Sequence, residues 1–128
     1  MRFLLDSVIV IDHLNNVQAA TNFLQMYGAD SALSVITRAE VLAGFDDDST
    51  ALALRLLDSF PTLPVTIEIA DDAGRLRHGL RWKLPDAIQA AIARANNLTL
   101  VTRNTRDFQP GGDPQVLIPY RLKSPEAQ

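Results

Sequence analysis

Phe3-Leu4-Leu5 is an unbroken apolar triplet stopped by Asp6-Ser7, the form of a short strand buried on both faces. Residues 8–14 continue as a brief helical stretch. Asn15 or Asn16 then caps a helix running to about Tyr27, with Val17, Ala20, Phe23, Leu24 and Tyr27 at helical spacing and Gly28 as its terminator. A second strand is predicted over 32–35. Thr37-x-x-Glu40 has the form of a capping box for a short helix ending near Gly44. Leu52, Leu56, Leu57 and Phe60 mark a further helix behind Asp46-Asp47-Asp48-Ser49, where Ser49 is the expected cap. Residues 63–67 read as a third strand and 69–82 as a helix. Pro85, tolerated in a first turn, opens another with Ile88, Ala91, Ile92 and Ala95 inward. Residues 98–102 give a fourth strand, Pro110-Gly111-Gly112 a turn, and 116–118 a fifth strand.

Strands alternating with helices predict an α/β fold, a three-layer α/β/α sandwich around a mostly parallel five-stranded sheet. The pattern is one domain over 1–118, followed by a tail, 119–128, expected to fray. In such sheets, sites lie beyond the carboxyl ends of the strands.

Composition narrows the chemistry. The chain has 128 residues, 47% of them hydrophobic, enough to fold around its own core without a metal or disulfide staple. Cysteine is absent and there are two histidines, so any metal must be held by oxygen. The net charge of −3 gives no whole-molecule attraction to nucleic acid, and binding of that kind requires a local patch. Residues 3–11 are broken by Asp6 and lack a small-residue cleavage pattern, and no apolar run approaches a membrane span. The expectation is a cytoplasmic protein.

Four carboxylates fall where strands end: Asp6 after the first, Glu40 after the second, Asp86 in the turn opened by Pro85, and Asp107 with Asn104 after the fourth. Each has a plain structural reading, as strand-ending Asx turn, capping-box partner, helix-dipole balance or solvated loop residue. Glu40 fits its plain reading least, standing four after Ile36 and three before Ala43 in an apolar stripe. Converging carboxylates repel and raise one another's pKa unless a cation compensates, so the set predicts a hard divalent ion and phosphate-ester chemistry.

The stretches Leu5-Asp6-Ser7 with Ile11-Asp12-His13-Leu14, residues 36–44 (ITRAEVLAG), 85–93 (PDAIQAAIA) and 100–108 (LVTRNTRDF) resemble the four motifs of PIN-domain ribonucleases, above all the VapC-like toxins of bacterial toxin–antitoxin pairs. The resemblance spans residues 5–108. It implies a five-stranded parallel sheet between helices, an endoribonuclease dependent on Mg²⁺ or Mn²⁺, a homodimer, and inhibition by a cognate antitoxin. Asp6, Glu40 and Asp86 match the family's principal metal-site acids and Asp107 its more variable fourth. Asn104 matches an assisting polar position, and Ser7 a hydroxyl beside the first acid. Val8 departs from the pattern, standing where many members carry Asn or Asp, and implies a weakened outer shell around the metal.

Residues 75–83 carry Arg75, Arg77, Arg81 and Lys83 without an acid, and Arg103 and Arg106 flank the proposed site. They read either as solvated cations or as guides for RNA phosphates. Trp82 reads as packing, and His13 and His78 have no partner in the sequence. No glycine-rich phosphate loop or nucleophile elbow is present. The rival functions are an aspartate-based phosphatase using Asp6, which Val8 opposes because such enzymes place a second Asp there, and a non-catalytic PIN-type binding module.

Overall fold

A computed structural model describes residues 1–108 and 110–122. Strands β1 (Phe3–Leu5), β2 (Ser31–Ser34), β3 (Thr62–Leu63), β4 (Thr99–Val101) and β5 (Val116–Leu117) form one sheet in the order β3-β2-β1-β4-β5, every pair parallel. Helices α1 (Ser7–Leu14), α2 (Gln18–Tyr27), α3 (Val35–Ala43), α4 (Asp47–Asp58), α5 (Ile67–Leu80) and α6 (Leu84–Ala95) connect them.

The two-residue period of a strand sorts β1 between two cores. Leu4 packs with Ile69, Ala73, Ala90, Ala91 and Leu100 beneath α5 and α6. Phe3 and Leu5 pack with Ile9, Phe23, Val41 and Leu57 beneath α1 to α4. Leu4 and Leu5 of β1, Leu33 of β2, and Leu100 and Val101 of β4 are fully buried, as expected of a parallel sheet covered on both faces. This is the three-layer α/β/α sandwich the periodicity predicts.

Several boundaries differ from the sequence expectation. The N-cap of α3 is Ser34, whose hydroxyl accepts from the Thr37 N–H at 3.0 Å, so the expected capping box at Thr37 does not form. Asp46, not Ser49, caps α4. Val17 precedes α2 without a side-chain cap, while Asn15 closes α1 and Asn16 takes φ +65°. Strand β3 stops at Leu63, because Pro64 supplies no N–H to a ladder and Thr66 begins α5 by accepting from Ile69. Within the tail expected to fray from residue 119, Tyr120 is half-buried and hydrogen-bonded to Asp12 at 2.8 Å; residues 123–128 of that expected tail lie outside the described residues.

The chain winds outward from β1 through β2 to β3, then returns to place β4 on the other side of β1. The carboxyl ends of β1 and β4 therefore flank the switch in direction, the usual place for a site in an open α/β sheet.

Candidate active site

Asp6 leaves β1 and caps α1, its Oδ1 accepting from the Ser7 N–H at 2.9 Å. Two buried side chains complete its setting. The Thr102 hydroxyl, just beyond β4, donates to Oδ2 at 2.7 Å, and the Gln89 amide donates to Oδ1 at 3.3 Å. Gln89 is 1% exposed and is itself held, donating to Thr37 Oγ1 at 2.6 Å and accepting from Ser34 Oγ at 2.6 Å. Thr37 in turn donates to the Leu5 carbonyl at 3.1 Å. Among the described residues no buried side-chain polar atom is left unsatisfied. A fully connected polar network of this kind fixes geometry where an incomplete one would destabilise the core. Asp6 is thus an acid aimed by β1, β2, α3, α6 and the end of β4 together.

Asp86 lies in the first turn of α6, one turn before Gln89, so the same helix carries an acid that meets Asp107 and the amide that donates to Asp6. Its carboxyl is pushed up to about 7, first by burial, then by a hydrogen bond with Asp107 and by the charges of Asp6, Asp107 and Glu40. Glu40, in the middle of α3 and open to solvent, is also raised; desolvation and the charge of Asp6 outweigh a hydrogen bond from Ser7 that favours its charged form. Asn104 folds the loop after β4 on itself, its Oδ1 accepting from the Arg106 and Asp107 N–H groups at 3.1 and 3.4 Å and its amide donating to Asp107 Oδ2 at 3.2 Å. The structure therefore brings Asp6, Glu40 and Asp107 within electrostatic reach of Asp86, and Asp6 within reach of Glu40, with Ser7 bonded to Asp6 and Glu40 and Asn104 to Asp107.

The cleft beside these acids encloses about 560 Å³ and is lined by Asp6, Val8, Lys83, Arg103, Asn104, Thr105, Arg106 and Asp107. The cations do not fall as expected. Arg75 pairs with Asp72 at 3.9 Å, Arg77 donates to the Trp82 carbonyl, and Arg81 ends α5 in the left-handed region; none of the three lines the cleft. Arg103 reaches the cleft with its charge compensated by Asp12 through bonds of 2.6 and 3.1 Å. Lys83 and Arg106 are the exposed cations of the cleft wall. Trp82 packs on Phe108 with ring centroids 5.0 Å apart, as a core residue would. His13 bonds Thr21 at 2.8 Å, away from the acids.

Whether these acids suit a divalent ion is a matter of donor chemistry. All are oxygen donors, and burial together with their opposing charges raises the Asp86 carboxyl to about 7. Among the described residues no three of them close into a ready-made cage. Mg²⁺ asks for less than that, since it commonly takes one or two carboxylates and completes its shell with waters and phosphate. The set fits such an ion, with Asp6, Glu40, Asp86 and Asp107 as its candidate holders.

Sequence reasoning missed Gln89, Ser34, Thr102 and Asp12. A Gln three residues after Asp86 in a helix gives no sign of its direction, and the partners of Asp12 lie 91 and 108 residues away.

The family model of the PIN domain matches residues 3–110. Ribonuclease VapC10 of Mycobacterium tuberculosis is 36% identical over 112 residues, covering 82% of this chain and 84% of that protein. A toxin–antitoxin complex from Klebsiella pneumoniae contains a chain 35% identical to this one, superposing with a TM-score of 0.83 over 93% of this chain and 98% of the other. FitAcB from Neisseria gonorrhoeae, at 24% identity, shares the fold with a TM-score of 0.75 over 94% and 99%. The order of the strands, the acids at their ends and these similarities agree: the chain belongs to the PIN-domain family, among its VapC-like members.

Proposed function

We propose that this chain is a Mg²⁺- or Mn²⁺-dependent endoribonuclease and the toxin of a toxin–antitoxin pair. The observation that carries the reading is the gathering of Asp6, Glu40 and Asp107 around the Asp86 carboxyl, which burial first and then these acids raise to about 7. An acid so placed is destabilising unless the site holds a cation. Asp6, Glu40, Asp86 and Asp107 would hold a divalent ion, which would compensate their charge, polarise a phosphodiester and make water a better nucleophile. The chain's own residues then have distinct tasks. Asp6 is immobilised by Ser7, Thr102 and Gln89. Asn104 holds Asp107 in place, and Ser7 orients Glu40. Lys83 and Arg106 attract RNA phosphates to the cleft of an otherwise acidic protein. The partners carried over from the similar complexes are a cognate antitoxin and, from the family, a second copy of the chain.

Incubating purified protein with structured and unstructured RNA, in Mg²⁺, Mn²⁺ or EDTA, tests the reading. Internal cleavage that EDTA abolishes and Asp86→Asn lacks is the expected result. Metal binding without cleavage would instead make the chain a binding module, and a trapped aspartyl-phosphate would make it a phosphatase.

A further inference from the structure

Asp12 is 5% exposed and belongs to none of the acids that converge on the cleft. Its carboxylate, on α1, receives three hydrogen bonds. Arg103 grips it with Nε at 2.6 Å and a terminal nitrogen at 3.1 Å, and the Tyr120 hydroxyl donates to Oδ2 at 2.8 Å. Paired in this bidentate manner, a buried charge is geometrically exacting, and it specifies an arrangement more than it adds stability.

What it specifies follows from where its partners sit in the chain. Arg103 stands between Thr102, which donates to Asp6, and Asn104, whose amide holds Asp107. The Asn104 N–H also donates to Thr102 Oγ1 at 3.0 Å. The loop after β4 is thus anchored twice to the segment following β1, through Thr102 on Asp6 and through Arg103 on Asp12. Tyr120 brings the chain beyond β5 to the same carboxylate. Without the second anchor, the loop carrying Asn104 and Asp107 would be held only at its two ends, by Thr102 on Asp6 and by Phe108 in the core.

We propose that Asp12 is a positioning residue for the acidic cleft: by clamping Arg103 and Tyr120 it fixes the loop that sets Asn104 and Asp107 beside Asp6 and Asp86. This rests on the reading of the cleft as a metal-dependent nuclease centre. Loss of an outer partner of a metal site commonly lowers affinity or activity by roughly 10- to 100-fold, and the clamp belongs in that range.

Three variants test it beside the parent and Asp86→Asn. Asp12→Asn removes the charge in an isosteric side chain, Asp12→Asn with Arg103→Gln leaves no unpaired buried charge, and Tyr120→Phe removes one bond. Mn²⁺ binding by calorimetry, amide exchange of residues 103–108, and kcat and KM for RNA cleavage are read well below each melting temperature. Expected for Asp12→Asn are faster exchange in 103–108, Mn²⁺ binding weakened at least several-fold, and a roughly 10-fold lower kcat with KM within about twofold. The double variant should lose no more than the single one, and Tyr120→Phe should lose less. A lowered melting temperature with exchange, Mn²⁺ binding and kcat all unchanged would overturn the proposal and leave the clamp purely structural. If the parent cleaves no RNA, the nuclease reading falls, and exchange together with Mn²⁺ binding still decides the clamp: both altered supports it, both unaltered overturns it.

Discussion

Two acids, Asp12 on α1 and Asp86 on α6, live under opposite regimes. Asp12 is almost wholly buried, yet a guanidinium and a phenol saturate its oxygens. Asp86 is less buried, yet burial and then a hydrogen bond with Asp107 and the charges of Asp6, Asp107 and Glu40 raise its carboxyl to about 7. Burial alone therefore does not mark a site. The mark is a charge that the fold gathers and leaves uncompensated, because a folded chain tolerates that only where something else supplies the opposite charge.

The largest expected difference between the two regions is in activity. Asp6→Asn, Glu40→Gln or Asp86→Asn should each cost at least roughly 100-fold in metal-dependent RNA cleavage, with Asp107→Asn costing less. Full cleavage by Asp86→Asn, measured free of contaminating nuclease, would remove Asp86 from the site.

Stability should reverse the order. Asp12→Ala strands the Arg103 guanidinium and is expected to destabilise by roughly 2–3 kcal/mol, below the range for fully buried pairs because that side chain is 34% exposed. Urea unfolding measures it; a loss within error of zero would show the clamp to be loose in solution.

Asp86→Asn should do the opposite in metal-free protein. The unfolded Asp86 ionises near 3.8 and the folded one near about 7, so between these values the folded chain keeps a proton the unfolded chain has lost. The penalty is absent below about 3.8, grows through that window and is complete above about 7. The groups facing this carboxyl include the acids Asp6, Glu40 and Asp107, with Lys83 and Arg106 at the cleft wall. The variant should melt a few degrees higher than the parent at pH 8, equal it near pH 4, and lose the extra stabilisation that Mn²⁺ gives the parent. Lower melting with the Mn²⁺ effect intact would make Asp86 a helix-start residue only.

The smallest effect concerns the cations. Lys83→Gln and Arg106→Gln should each lower the salt-dependence slope of RNA binding by about 0.7 if each meets one phosphate, whereas replacing Arg75, Arg77 and Arg81, which lie off the cleft, should change it less. The reverse ranking would return the RNA path to α5.

Much of this architecture is legible in one dimension. Apolar triplets such as Phe3-Leu4-Leu5 and the turn opened by Pro85 are local signals, and they locate β1 and α6 within a residue or two. The four acids stand out in the sequence because Asp6 directly follows an apolar strand, Glu40 interrupts an apolar helical stripe, Asp86 follows the helix-opening Pro85 and Asp107 lies in the loop after the fourth strand. What stayed hidden was relational. Ser34-x-x-Thr37 and Thr37-x-x-Glu40 are both plausible caps, and the choice depends on Thr37 turning inward to Leu5 and Gln89. Arg103 looks like any loop cation until the fold brings Asp12 beneath it. Gln89 looks like a surface residue until α6 packs, and then it becomes the partner of the first acid.

The most direct test of the central claim is a carbon-13 NMR titration of the Asp86 carboxyl in metal-free protein, repeated with Mg²⁺. Convergence of the four acids predicts a midpoint near about 7 that moves toward lower pH when Mg²⁺ is added. A midpoint near the ordinary 3.8, indifferent to Mg²⁺, would mean that the acids do not share a site, and would contradict the account.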